Sequence, residues 1–247
     1  MKLHNALLTR NSYSFLVIIN IFLLTGFVFS CSATDKTGPL LDGKSFTVIT
    51  LPNGNPAEAM LEKITFANGR FDNNNCHLWG FGDGEYTATA MGDSIVFNAT
   101  TNSPKEGTMV WNGTVKGETL SGKMTWSKQG QDNLEYTFSS KNIEMANLNG
   151  KSYAIEFVLG DSADADTITF NNGKFESPAC YAWGFTAAPY DAYVFNGETH
   201  FQSVYKNEKE GTMLFYGIIN GSNISGTQFW TKEGQADSYY AIKGKEQ

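Results

Sequence analysis

The chain has 247 residues, 41% of them hydrophobic and 14% aromatic, and its 18 basic and 25 acidic side chains give a net charge of −7. An acidic surface repels nucleic acid and anionic lipid headgroups, so neither is an expected partner. Arg10 and Arg70 are the only arginines, which argues against clustered anion recognition, because arginine forks are the usual tool for it.

The first thirty residues read as a processing segment. Lys2 and Arg10 make a positive start, and Phe15 to Phe29 is an almost unbroken apolar run. That run is shorter than the roughly 20 residues a membrane-spanning helix needs and suits a secretory leader. It ends in Val28-Phe29-Ser30-Cys31, with polar Ser32-Ala33-Thr34-Asp35-Lys36 behind it. This stretch resembles a bacterial lipoprotein signal, which implies cleavage before Cys31 and a lipid on that cysteine. The alternatives are an uncleaved anchor helix or ordinary signal cleavage nearby. Acyl chains on Cys31 would make the membrane a partner, each buried CH₂ contributing about 0.8 kcal/mol. By the same resemblance, Ser32 in place of an aspartate implies the outer membrane. The expected address is the cell envelope, facing periplasm or medium. Loss of Lys2 and Arg10 with the leader takes the net charge to −9.

Beyond a tether at 31–40 the chain repeats itself. Ile64-Thr65-Phe66 recurs as Ile168-Thr169-Phe170, and Cys76 with Trp79-Gly80-Phe81 as Cys180 with Trp183-Gly184-Phe185. Lys105-Glu106-Gly107-Thr108-Met109 recurs as Lys209-Glu210-Gly211-Thr212-Met213, always 104 positions later. A duplication in one register predicts two similar domains, at 41–141 and 148–245, joined by a linker at 142–147. Each copy opens on a turn and strand, Leu41-Asp42-Gly43-Lys44-Ser45-Phe46 or Leu148-Asn149-Gly150-Lys151-Ser152-Tyr153, here offset by 107 because the first copy holds three extra residues. Pro56 to Lys63 reads as at most one helical turn. Asn68-Gly69, Asn172-Gly173 and Asn196-Gly197 are hairpin signals. In the hairpin from Gly107 to Trp126, Met109, Trp111, Gly113 and Val115 share one face at period two. Gly113 and Gly217 fall mid-strand, where glycine often marks a bulge or bend.

Seven or eight short antiparallel strands per copy, linked by consecutive hairpins, predict an all-β chain of two tandem up-and-down barrels, with a sandwich as the competitor. The Gly-Lys-Ser-aromatic opening, the meander and the repeat size resemble the calycins, meaning lipocalins, avidins and fatty-acid-binding proteins. The fuller pattern, from Leu-x-Gly-Lys through Cys-x-x-x-Gly-Phe, Glu-Gly-Thr-Met and Trp-x-Lys-x-Gly-Gln, is similar to a family of bacterial secreted domains. Phe46 and Tyr153 stand where lipocalins place tryptophan.

The candidate site residues are few. Cys76 and Cys180 are either buried thiols or the two halves of an inter-domain disulfide, the latter if the domains pack about a pseudo-twofold axis. His77 beside Cys76 becomes Tyr181, and His200 replaces Val96, so no Cys–His pair is shared and no catalytic residue is expected. The acidic loops around Asp83 and around Asp161, Asp164 and Asp166 lack a calcium-site spacing, so no metal or cofactor is assigned. Glu106 and Glu210 read as surface ion pairs or turn caps. Shared aromatics are either barrel core or the wall of an apolar cup. Trp79, Phe81, Tyr86, Trp183, Phe185 and Tyr190 are the candidate ligand contacts. The sequence therefore favours binding of a small apolar or amphipathic ligand over catalysis. The alternative is a structural or protein-interaction module of the envelope with filled barrels. The loops where the copies disagree, such as 82–85 against 186–189, are the expected seat of recognition.

Overall fold

The computed structural model describes residues 37–247; the 1–30 leader, the Cys31 lipidation site and most of the tether lie outside them. In the first copy the strands are β1 (Thr37–Gly38), β2 (Ser45–Pro52), β3 (Met60–Ala67), β4 (Arg70–Asn73), β5 (Gly84–Met91), β6 (Ser94–Ser103), β7 (Gly107–Lys116), β8 (Thr119–Ser127) and β9 (Leu134–Ser139). Neighbours pair antiparallel in chain order, β2 pairs with β9, and β3–β4–β5–β6 completes the ring. The second copy repeats this with β10 (Glu144–Met145), β11 (Ser152–Leu159), β12 (Ser162–Asn171), β13 (Lys174–Glu176), β14 (Ala188–Phe195), β15 (Glu198–Asn207), β16 (Gly211–Asn220), β17 (Asn223–Thr231) and β18 (Ser238–Glu246). Each copy is thus a closed eight-stranded barrel, which leaves no long open edge.

β1 and β10 are extra. Thr37 lies opposite Thr89, and Glu144 opposite Val194. The predicted linker at 142–147 is therefore fixed to the second barrel as an added strand, and the end of the predicted tether is fixed to the first in the same way. The turn chemistry explains the tight hairpins. Asn68-Gly69, Asn172-Gly173 and Asn196-Gly197 all have positive φ at both residues, the type I′ geometry that matches strand twist. A 3₁₀ segment at Asn74–Trp79, and its equivalent at Pro178–Trp183, ends on Gly80 or Gly184 in the left-handed region. Six residues are too few for helical periodicity to register in sequence.

The barrel interiors are aromatic. Phe66 makes edge-on contacts with Phe71, Tyr86 and Phe97 at centroid distances of 5.5, 5.0 and 5.0 Å. Phe170 does the same with Tyr190 and Phe201 at 5.1 Å each. Ring pairs of this kind add about 0.5–1.5 kcal/mol beyond the burial of their area. The shared motifs form a latch at the rim. Trp126 Nε1 donates to Glu106 O at 2.6 Å and Lys128 Nζ to Glu106 Oε2 at 2.8 Å. Trp230, Glu210 and Lys232 repeat it at 2.6 and 2.7 Å. So Lys-Glu-Gly-Thr-Met and Trp-x-Lys recur because each grips the other.

The two barrels belong to one compact unit, and they meet head to side. The β2–β3 connection of the first barrel rests on the outer wall of the second. Gln202 Nε2 donates to Leu61 O at 2.6 Å, Gln202 Oε1 accepts from Leu61 N at 3.1 Å, and Tyr193 and Tyr216 donate to Ala59 O and Ala57 O. Ile49, Ala59, Leu61 and Tyr193 form a buried cluster of their own, with Leu51, Ile143 and Phe195 against it. The residues of the first barrel equivalent to Gln202 and Tyr216 are Asn98 and Asn112, and both are exposed. A twofold axis would make equivalent residues exchange contacts; this interface is heterologous, and the first barrel's polar wall gives it nothing to propagate on. Gln202→Leu leaves Leu61 N without its partner in a buried seam and Leu61 O with Asn75 Nδ2 alone, at 3.2 Å. We expect a loss of about 2 kcal/mol in urea unfolding followed by tryptophan fluorescence.

Candidate functional site

A cavity of about 700 Å³ lies where the mouth of the first barrel faces the wall of the second. Thr50, Glu62, Cys76, Trp79, Met109, Trp111, Met124 and Tyr136 line it from the first barrel, and Leu214, Tyr216, Ile218, Phe229 and Tyr239 from the second. Its size falls within the range of small-molecule pockets, and its lining has their mainly apolar character with a few polar groups. Period-two alternation builds the floor. Met109 and Trp111 on β7 and Met124 on β8 point inward, whereas Val110 and Asn112 point out. Trp111 is fully buried, lies 5.0 Å from Phe71 and 5.6 Å from Phe138, and donates from Nε1 to Thr101 Oγ1 at 3.3 Å. It separates the cavity from the aromatic core below. Trp79 packs against Phe229 of the second barrel at 4.4 Å and forms one side of the opening.

In the second barrel larger side chains occupy two of the equivalent places, although Phe215 is smaller than the Trp111 it replaces. Phe157 stands where the first copy has Thr50, Tyr205 where it has Thr101, and Phe215 where it has Trp111. Tyr205 lies 5.2 Å from Phe215 and 5.8 Å from Phe175, and its hydroxyl donates to Phe175 O at 2.9 Å. Phe157 completes the fill at 6.1 Å from Phe215. Of these differences, Thr50 against Phe157 falls on the lining itself, whereas Thr101 lies against the indole of Trp111.

The polar feature of the cavity is Glu62. Thr50 Oγ1 and Asn73 Nδ2 both donate to its Oε2 at 2.7 Å. Burial raises its pKa above the ordinary 4.5, against the opposing pull of those two hydrogen bonds. Glu58 stands at the rim, exposed, with Asn55 Nδ2 donating to its Oε1 at 2.8 Å. Both barrel thiols sit deep. Cys76 donates to Met109 Sδ at 3.6 Å, and Cys180 to Met213 Sδ at 3.8 Å. Burial raises both pKa values, that of Cys180 to about 11, so neither is poised as a thiolate.

Several expectations change here. Cys76 and Cys180 are free, each inside its own barrel's core, so the inter-domain disulfide is not formed; the heterologous packing removes the axis that would have brought them together. Phe81, Tyr86 and Phe185 are buried core residues, not cup walls. Tyr86 instead ties down the opposite end of the barrel, donating to Asp42 Oδ1 at 2.8 Å and accepting from Leu41 N at 3.1 Å. Tyr190 makes the equivalent contact with Leu148 N at 3.1 Å. Trp183 is half exposed and packs on Trp230 at 5.2 Å, at a rim nothing covers among the described residues. Of the six proposed ligand contacts, Trp79 alone lines the cavity. The 82–85 loop lies elsewhere, with Asp83 paired to Arg70 at 2.9 Å. Asp166 accepts from Ser177 Oγ at 2.6 Å. Among the described residues, no three His, Cys, Asp or Glu converge to hold a metal ion.

No family model and no curated protein matches the chain. Among solved structures it is similar to a crystal structure of a "putative outer membrane protein" from Bacteroides fragilis. That match has 7% identity and a TM-score of 0.25, and spans 82% of this chain and 96% of the other. A likeness that weak bears on neither the fold nor the function argued from the residues.

Sequence reasoning missed Thr50, Glu62, Trp111, Met124, Tyr216 and Phe229. The signal that could have found them is the difference between copies inside strands, such as Thr50 against Phe157 and Asn112 against Tyr216, and not the shared aromatics or the divergent loops.

Proposed function

We propose that this chain is a cell-envelope lipoprotein that binds a small apolar or amphipathic molecule at the mouth of its first barrel, with the second barrel as a filled structural roof. The observation that carries the reading is the 700 Å³ cavity walled by Trp79, Trp111, Met109, Met124 and Phe229. An apolar molecule entering it would exchange water contact for aromatic and thioether contact, the usual source of affinity in such pockets. Binding without catalysis fits a lining whose one thiol has a raised pKa and which contains no histidine, the neighbouring His77 being paired with Asp72 instead. The envelope address rests on the leader and Cys31. Cys31→Ala is expected to move the protein from the membrane fraction to the soluble fraction, read by fractionation and immunoblot.

Thr50→Phe gives the first barrel the residue that fills the second. It should close the cavity and abolish the tryptophan fluorescence response to an apolar probe such as decanol. Circular dichroism should remain unchanged, since the second barrel folds around Phe157. An undiminished response in Thr50→Phe would overturn the cavity as the binding site. Native mass spectrometry of protein taken from membranes without denaturation should show a co-purified small molecule on the wild type and none on the variant.

A further inference from the structure

The cavity lining contains two carboxylates, Glu58 and Glu62, and no lysine, arginine or histidine. Glu62 is the inner one. Both hydrogen bonds described for it reach Oε2, and Oε1, on a side chain that lines the cavity, has no partner among the described residues and is not fully enclosed. No salt bridge among the described residues reaches it. Aromatic groups from both barrels surround this space, with Trp79, Trp111 and Tyr136 on one side and Tyr216, Phe229 and Tyr239 on the other.

That combination discriminates between head groups. An apolar ligand displaces water from the cavity and so strips Oε1 of the water that would hydrogen-bond it. A carboxylate without a counter-charge is costly in such surroundings, unless the ligand supplies a donor or an opposite charge. A carboxylate or sulfate head would bring a like charge against Glu62 with no base to offset it. A hydroxyl head supplies one hydrogen bond. An ammonium head supplies the opposite charge, and the surrounding rings add cation–π attraction within about 6 Å of a ring face.

We infer that the first-barrel cavity selects apolar molecules bearing a cationic amine or quaternary ammonium head, with Glu62 Oε1 as the counter-charge. This rests on the cavity being the binding site, as proposed above. It also reverses the anionic preference that a fatty-acid carrier would have.

The experiment is a tryptophan fluorescence titration of the purified soluble chain with three probes of one chain length: decyltrimethylammonium, decanol and decanoate. The expected order is ammonium tightest and decanoate weakest, with at least tenfold between these two, equivalent to about 1.4 kcal/mol. Glu62→Gln keeps an oxygen to accept from Thr50 and Asn73 but carries no charge. It should bring the ammonium probe down to the affinity of decanol. Equal binding of decanoate and the ammonium in the wild type overturns the inference, as does a preference that survives in Glu62→Gln. If decanol binds without any charge discrimination, the cavity reading stands and only the head-group inference fails. If none of the three binds, the cavity reading itself fails. The wild-type comparison decides the matter even where the variant does not fold.

Discussion

Trp111→Ala is expected to destabilise the first barrel by about 3–5 kcal/mol and to abolish the cavity as a defined site. Trp111 is fully buried, its ring tilted against Phe71 at 5.0 Å and Phe138 at 5.6 Å, and holds Thr101 through its indole nitrogen. Truncation removes the transfer energy of a large aromatic and leaves its neighbours without contacts on one side. The resulting void joins the existing cavity, so water reaches the freed Thr101 hydroxyl, but the lost packing is not replaced. The core rings of Phe71 and Phe138 become part of the cavity wall. Guanidinium unfolding followed by far-UV circular dichroism should show the loss, with decanol binding lost under native conditions. Trp111→Phe, the residue the second barrel uses at this place, should recover most of the stability. A loss below about 1 kcal/mol for the alanine variant would mean that Trp111 is not the floor described.

Much of this fold could be read in the sequence because its signals are local. Asn68-Gly69 and Asn172-Gly173 demand positive φ at two successive residues, and both pairs adopt it. The alternation through Met109, Trp111, Gly113 and Val115 names the inward face of β7 without reference to any neighbour. The site was less legible because it depends on what the two barrels do to each other. In β16 the alternation breaks: Leu214 on the outer face is buried along with the inward Met213 and Phe215. A strand apolar on both faces signals a covered outer wall, and the exposed equivalents Val110 and Asn112 mark which copy is uncovered. Which element does the covering is set by the three extra residues of the β2–β3 connection, and neither propensity nor periodicity reports where a loop lands. The shared aromatics drew attention for the same reason that they are not the site. Both barrels kept them because each barrel needs a core, whereas the cavity lies where the first copy has Thr50 in place of the ring of Phe157 in the second.

Gly122→Ala should cost the first barrel about 3 kcal/mol, through space rather than backbone freedom. Gly122 lies directly opposite Gly113 across β7 and β8 in an unbroken register from Thr108–Ser127 to Lys116–Thr119. These mid-strand glycines therefore mark a close approach, not the bulge that glycine in a strand often signals. A Cβ on Gly122 would fall inside the van der Waals envelopes of Asn112 O and Phe138 Cζ, and 2.7 Å from Gly113 Cα. One on Gly113 would strike the ring of Phe97. The pair exists so that two phenylalanine rings can lie flat on the barrel wall, and the second copy repeats it with Gly217 opposite Gly226 under Phe201. An added methyl has to displace either ladder backbone or a ring already packed in the core, and overpacking of this kind costs typically 1–3 kcal/mol. Backbone among the obstacles puts this case at the upper end. Phe138→Leu combined with Gly122→Ala separates the causes, because it removes the ring but not the carbonyl. Partial rescue in the double variant, read as a coupling in denaturant unfolding, would assign the loss to the ring. Simple additivity would assign it to the strand pair alone.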